Sequence, residues 1–364
     1  MLGHIRPPGP RAPAASRPSD RPDGPAVPDS RGAAPPTREK EVHVPKLSVV
    51  VALHNVEAFA ETTLRSLARN AGPDVEFLLV DDCSTDATAE MVDRWAERLP
   101  GARVIRHDTN RGIAQARNSG IDAAGGEYVT FLDGDDWYGP DHLAGLTRAM
   151  DELGCDFART DHVQATGTER VVKRPPARVR HAVMDPRDGI APADTETMVD
   201  YPFVWAGVYR RHLFEDGGLR FATELRTAED RLWIWRLHLR ARTYASLGLH
   251  GVFYRRGVAT SLTQVRDERQ LDFIPAYDAL LREVRDDPEA DRFLLKAVRT
   301  YCAMIAFHVG KAHDYEPAAA RRLRQEARAA LHRMPERELD RTLATIDSTR
   351  GRLLGRLRDG RKAA

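Results

Sequence analysis

Three carboxylates within four residues, Asp133-Gly134-Asp135-Asp136, close the apolar run Tyr128-Val-Thr-Phe-Leu132. Like charges this close repel, so the cluster is either a solvated Asp-Gly turn or a seat for a cation. Hard carboxylate oxygens with open coordination positions suit Mg²⁺ or Mn²⁺ bridging to substrate phosphates. An EF-hand loop is excluded, because its twelfth position counted from Asp133 is Ala144 and the bidentate glutamate is missing. Two further acidic pairs stand at element ends: Asp81-Asp82 after the run Val75–Val80, and Glu229-Asp230 before Arg231-Leu-Trp-Ile-Trp-Arg. Each pair suits a helix N-terminus, whose dipole favours anions; each also offers a carboxylate for binding or for moving a proton.

The elements that must carry these residues alternate strand and helix. Leu47–Leu53 is almost continuously apolar, which predicts a strand buried on both faces. A helix is expected over about Glu57–Asn70, a strand over Val75–Val80, and a helix capped by Ser84 and ended by Pro100-Gly101. Ala102–Arg106 reads as a strand, Gly112–Ala124 as a helix, and Glu127–Leu132 as the strand delivering the carboxylates. This spacing predicts a three-layer, mostly parallel α/β sheet, with the strand ends as the place where ligands gather. A helix over Asp141–Gly154 and a strand near Cys155–Arg159 follow. Thr160 to Asp200 is polar and Pro-rich with few periodic signals. Beyond it come a strand within Phe203–Arg210, a helix over Glu229–Ala241, strands near Thr243–Leu247 and Val252–Arg255, and helices only from about Arg266. Trp233 and Trp235, two apart on a helix, point to different faces, so at most one of them faces a site.

The 364 residues suffice for a large core. With 55 basic and 54 acidic residues the formal charge is +1, so no global field points to nucleic acid. Cys83, Cys155 and Cys302 are odd in number and widely spaced, which predicts free thiols. No stretch reads as a membrane span and no apolar leader opens the chain, so a cytoplasmic location is expected. Residues 1–45, crowded with Pro, Arg, Gly and Ala, bury too little to offset ordering entropy and are expected to be a disordered tail. The basic stretch Ala320–Leu331 either packs on the rest of the protein or a second subunit, or lies on an anionic membrane as a peripheral contact at its inner face.

Four segments in order resemble the inverting family 2 glycosyltransferases of GT-A fold. They are Ser48-Val-Val-Val-Ala-Leu-His54-Asn55, Leu79-Val-Asp81-Asp82-Cys83-Ser84-Thr85-Asp86, Asn110-Arg-Gly112-Ile-Ala-Gln-Ala-Arg117-Asn118-Ser-Gly120, and Phe131-Leu-Asp133-Gly-Asp135-Asp136. The resemblance implies a nucleotide-sugar donor, with UDP as its nucleotide, and a hydroxyl acceptor of unknown identity. It implies that Asp82 accepts from the uracil N–H, that His54 stands where relatives carry a stacking aromatic, and that Arg117 faces the diphosphate, although an arginine on a helix also suits the surface. It further implies a metal, Mn²⁺ or Mg²⁺, on Asp135 with Asp133 beside it, Asp133 also serving the donor. Asp136 is left free to bind neighbouring main chain. Asp230 matches the position of the catalytic base, while Arg256, with Ser261, matches a late loop that closes over the diphosphate. The implied division is a nucleotide-sugar-binding half at 46–160, an acceptor half at 161–265 and a helical region at 266–364. A non-catalytic protein that kept the fold is the rival; retention of Asp133, Asp135 and Asp230 together favours an enzyme.

Overall fold

The computed structural model describes residues 44–258 and 266–360. Its centre is β1 (Leu47–Leu53), in which all seven residues are buried. β1 lies parallel to β2 (Val75–Asp81) on one side and to β4 (Tyr128–Asp133) on the other. β3 (Ala102–Arg106) extends the sheet beyond β2, also parallel. On the far side β9 (Gly207–Arg210) runs antiparallel between β4 and β6 (Phe157–Thr160), and β10 (Tyr244–Leu247) closes the edge parallel to β6. The order is β10-β6-β9-β4-β1-β2-β3.

Register decides where the acids end up. Leu53 pairs with Asp81 and Ala52 with Asp133, so the ends of β1, β2 and β4 stand level. The chain turns there through Asp82 N–H to Leu53 O at 2.9 Å and Gly134 N–H to Ala52 O at 2.9 Å. Two carboxylate-bearing turns, after β2 and β4, thus share one edge of the sheet with the His54-Asn55 turn after β1, the end at which open α/β sheets bind ligands.

Helices α1 (Glu57–Arg69), α2 (Thr88–Ala96), α3 (Ile113–Ala123) and α4 (His142–Leu153) cover this sheet. α3 sits so close to β1 that a Cβ on Gly120 would lie 2.2 Å from Val50 Cγ1, which explains a glycine inside a helix. The second helix starts later than its sequence suggests. Ser84 is not its cap: its hydroxyl accepts from Asn55 N–H at 3.1 Å, and Asp86 takes the Thr88 N–H at 2.9 Å.

The polar stretch after Thr160, without periodic signal in sequence, contains a hairpin of β7 (His162–Thr166) and β8 (Glu169–Lys173), turning at Gly167 with φ +54°. It joins β5 (Trp137–Tyr138) and β11 (Val252–Arg255) in a second sheet of order β5-β11-β7-β8.

α5 (Glu229–Arg240) carries both tryptophans into the core. Trp233 stacks on Phe221 with centroids 5.1 Å apart, and Trp235 is wholly buried, so neither is left to stack a sugar. The rest is helical: α6 (Phe273–Arg285), α7 (Ala290–Gly310), α8 (Pro317–Arg333), α9 (Glu336–Thr345) and α10 (Ser348–Arg358). Arg236 grips Glu283 with bonds of 2.6 and 3.0 Å, tying α5 to α6. Against the sequence expectation, α7 is long and apolar enough to cross a membrane. Its buried face, including Phe293, Val298, Tyr301 and Ile305, packs inside this helical region, as a core helix does. α8 buries Ala319, Ala320, Leu323, Ala327, Ala330 and Leu331, leaving Arg321, Arg324 and Arg328 exposed. Cys83, Cys155 and Cys302 are free thiols.

Candidate active site

The Asp133–Asp136 turn is a held object, not a solvated loop. Thr63 on α1 donates its hydroxyl toward the carbonyls of Gly134 at 2.8 Å and Asp136 at 2.7 Å. Arg255 donates Nε–H to the Asp135 carbonyl at 2.8 Å and its main-chain N–H to Asp136 Oδ1 at 2.7 Å. Asp136 therefore does bind neighbouring main chain. Its Oδ2 is buried without a partner, and burial with the charge of Asp135 raises its pKa well above the ordinary carboxylate range. Burial and the charge of Asp133 push the Asp135 carboxyl up to about 6. A divalent cation would relieve both the repulsion and the orphaned oxygen, so these donors fit one. Among the described residues no cluster of three His, Cys, Asp or Glu forms a closed cage. An ion on Asp133 and Asp135 would therefore need further oxygens from a bound substrate.

Asp82 is buried and already engaged. Its Oδ1 accepts from His107 Nδ1 at 2.6 Å and Arg111 N–H at 2.8 Å, and its Oδ2 from Gly112 N–H at 2.7 Å. It thus anchors the turn into α3 rather than capping α2, and Gly112 adopts φ +86° to aim its N–H there. A carboxylate offers about four acceptor positions, so one is left without a donor here. His54, half-buried, accepts from Asn110 Nδ2 at 2.8 Å with Nε2, leaving Nδ1 buried without a partner. Asn55 and Cys83 beside it have φ of +51° and +60°, conformations that non-glycine residues adopt rarely and mostly under local constraint.

Arg117 is not a surface residue. It is buried, with Nη1 on Glu229 Oε1 at 2.7 Å, Nη2 on Asp133 Oδ1 at 2.8 Å, and the guanidinium 5.3 Å from the Phe221 ring centroid. Burial alone would disfavour its charge, but Asp133 and Glu229 hold its pKa above the ordinary arginine value. Both Nη groups are occupied by carboxylates, so Arg117 links β4 to α5 instead of reaching freely toward a phosphate. Glu229 and Asp230 open α5 after Ala228, which sits at φ +60°. Burial, then the neighbouring Asp230 charge, raises the Glu229 pKa; burial also raises that of Asp230, and Asp133 adds to both. The Asp230 carboxylate stays partly exposed, in the field of Arg231 and Arg117. A carboxylate with a raised pKa beside Asp133 has the chemistry of a general base.

Arg256 is exposed at the end of β11, its Nη1 on the Tyr254 hydroxyl at 3.2 Å, and Ser261 lies outside the described residues. The residue that sequence reasoning passed over is its neighbour Arg255. The only signal was a basic pair closing a predicted strand; which of the two arginines turns toward the acids depends on the strand's facing.

The mixed sheet of order β10-β6-β9-β4-β1-β2-β3, with acids at the ends of β2 and β4, has the GT-A fold. The chain superimposes on the crystal structure of Staphylococcus aureus TarS 1–349 in complex with UDP at TM-score 0.66, with 22% identity over 86% of this chain and 87% of that one. The same fold in complex with UDP-GlcNAc gives TM-score 0.67. The model of Glycosyl transferase family 2 matches residues 48–217, and that segment belongs to the family. In sequence it is 30% identical over 231 residues to the uncharacterized glycosyltransferase EpsJ of Bacillus subtilis (strain 168), covering 63% of this chain and 66% of EpsJ. It is 28% identical over 262 residues to the poly(ribitol-phosphate) beta-N-acetylglucosaminyltransferase TarS of Staphylococcus aureus (strain Mu50 / ATCC 700699), covering 68% of this chain and 44% of TarS. The chain thus spans about two thirds of one relative and less than half of the other.

Proposed function

We propose that this protein transfers a sugar, with inversion, from a UDP-sugar to an acceptor hydroxyl with the help of Mg²⁺ or Mn²⁺. The observation that carries the reading is the Asp133–Arg117–Glu229 bridge, which fixes the metal motif and the Glu229-Asp230 pair in one rigid unit. Asp82 offers its remaining acceptor position to the uracil N–H, and His54 flanks the base. Asp133 and Asp135 face the diphosphate. Asp230 takes the acceptor's proton as its oxygen bonds to the anomeric carbon, and the bond from that carbon to the diphosphate oxygen breaks, releasing UDP. The metal, when bound, neutralises charge developing on the departing diphosphate. UDP complexes of a protein with this fold support the donor class.

Calorimetric titration tests this with UDP, CDP, GDP and TDP, each with Mn²⁺ and then with EDTA. Metal-dependent binding that prefers UDP is the expected result. Preference for another nucleotide overturns the role of Asp82, and binding of none favours a non-catalytic protein.

A further inference from the structure

Beside the metal motif, α1 and the second sheet enclose a cavity of about 270 Å³ lined by Phe59, Trp137, Arg170, Arg255 and Arg256. The Arg255 guanidinium lies 4.8 Å from the Phe59 centroid and 4.7 Å from that of Trp137. Arg170 lies over the same Trp137 ring at 5.8 Å, and Arg256 over Tyr254 at 5.5 Å. The bonds these side chains make go to neutral oxygens: Arg170 to the carbonyls of Gly167 and Glu169, Arg255 to that of Asp135, Arg256 to the Tyr254 hydroxyl. Among the described residues none of the three is in an ion pair, whereas Arg106, Arg117 and Arg180 elsewhere in the protein each hold a carboxylate. Three guanidinium groups facing one small space repel one another and are stabilised by an anion that several can grip at once. Arginine's planar fork matches phosphate oxygens in pairs.

We propose that this cavity is an acceptor subsite and that it takes a phosphate group, so the acceptor is a phosphate-bearing hydroxyl compound. The proposal rests on the transfer reading above and names its acceptor class. A phosphate here has two sources, acceptor or donor diphosphate, and the geometry favours the acceptor. The Arg255 guanidinium meets the Asp133–Asp136 turn through the Asp135 carbonyl and bonds none of its carboxylates, and Arg170 belongs to the β7–β8 hairpin, in a different sheet from β2 and β4, whose ends carry the donor-facing acids.

The test uses the full chain, with glycerol 1-phosphate and tripolyphosphate as phosphate probes and UDP with Mn²⁺ as donor probe, each titrated at low salt. Arg170→Ala should weaken both phosphate probes about tenfold or more, and Arg170→Glu should abolish their binding, with UDP affinity unchanged in both. An equal loss of UDP affinity would assign the cavity to the donor and overturn the proposal. So would failure of the wild type to bind either probe at millimolar concentration while it binds UDP. If the wild type binds phosphate probes but no nucleotide, the transfer reading fails and the acceptor role falls with it.

Discussion

Arg117 and Glu229 are bonded at 2.7 Å although 112 residues separate them in the chain. The same guanidinium holds Asp133 at 2.8 Å, so one side chain joins the strand that ends in the candidate metal ligands to the helix that begins with the candidate base. Removing one partner of a buried ion pair leaves an uncompensated charge, at a cost of about 3–5 kcal/mol. Arg117→Met is therefore expected to lower stability by about 3 kcal/mol at neutral pH. Adding Glu229→Gln should recover part of that loss. Urea denaturation of the two variants reads both; a fully stable single variant would show that the bridge contributes nothing to stability.

Asp230→Asn keeps the shape of the helix start but cannot accept a proton. Turnover should fall at least about a hundredfold, with metal-dependent UDP affinity nearly unchanged. Steady-state rates of UDP release alongside calorimetry separate the two quantities. Near-normal turnover would remove Asp230 from the mechanism.

The raised carboxyl pKa values make stability and activity respond oppositely to pH. Asp135, at about 6, and the Glu229–Asp230 pair bind protons more readily folded than unfolded. The stability these groups contribute should then be full below the unfolded carboxylate values of roughly 4 and be lost as pH rises through about 6 to 7, because the native state holds the extra protons. Activity needs Asp230 ionised, so its acid limb should lie above the ordinary carboxylate range. Melting temperature in EDTA and kcat/KM, both measured across pH 5 to 8, check the two halves.

Asp135→Asn removes a charge that burial and Asp133 oppose. The metal-free protein should gain about 1–3 kcal/mol at pH 8 while metal-dependent UDP binding disappears. Unchanged UDP affinity in this variant would place the metal elsewhere.

His107→Ala takes one of three donors from Asp82 and leaves the main-chain pair from Arg111 and Gly112. UDP affinity should stay within about threefold and the preference over CDP should persist, since the carboxylate remains anchored. Loss of that preference would assign base reading to the imidazole.

The chain's local chemistry was legible in its sequence wherever it is written in consecutive residues. The apolar run of β1, the acids at the ends of β2 and β4 and the pair at the start of α5 follow from periodicity and from the sharp change of polarity at each element's end. The β7–β8 hairpin escaped because its strands are short: β7 shows only Val163 and Ala165 as an apolar face, and β8 is exposed along its length. The fates of Arg117, Arg255 and the two tryptophans depend on which face of an element meets which neighbour. That is set by the packing of α3 on β1 and β2, of α5 on α6 and of β11 on β5, partners far away in the chain. Sequence determined which groups this protein has for binding a charged donor and moving a proton. Only the tertiary structure decided which of them are bound to one another, because a buried charge takes the partner that folding brings to it.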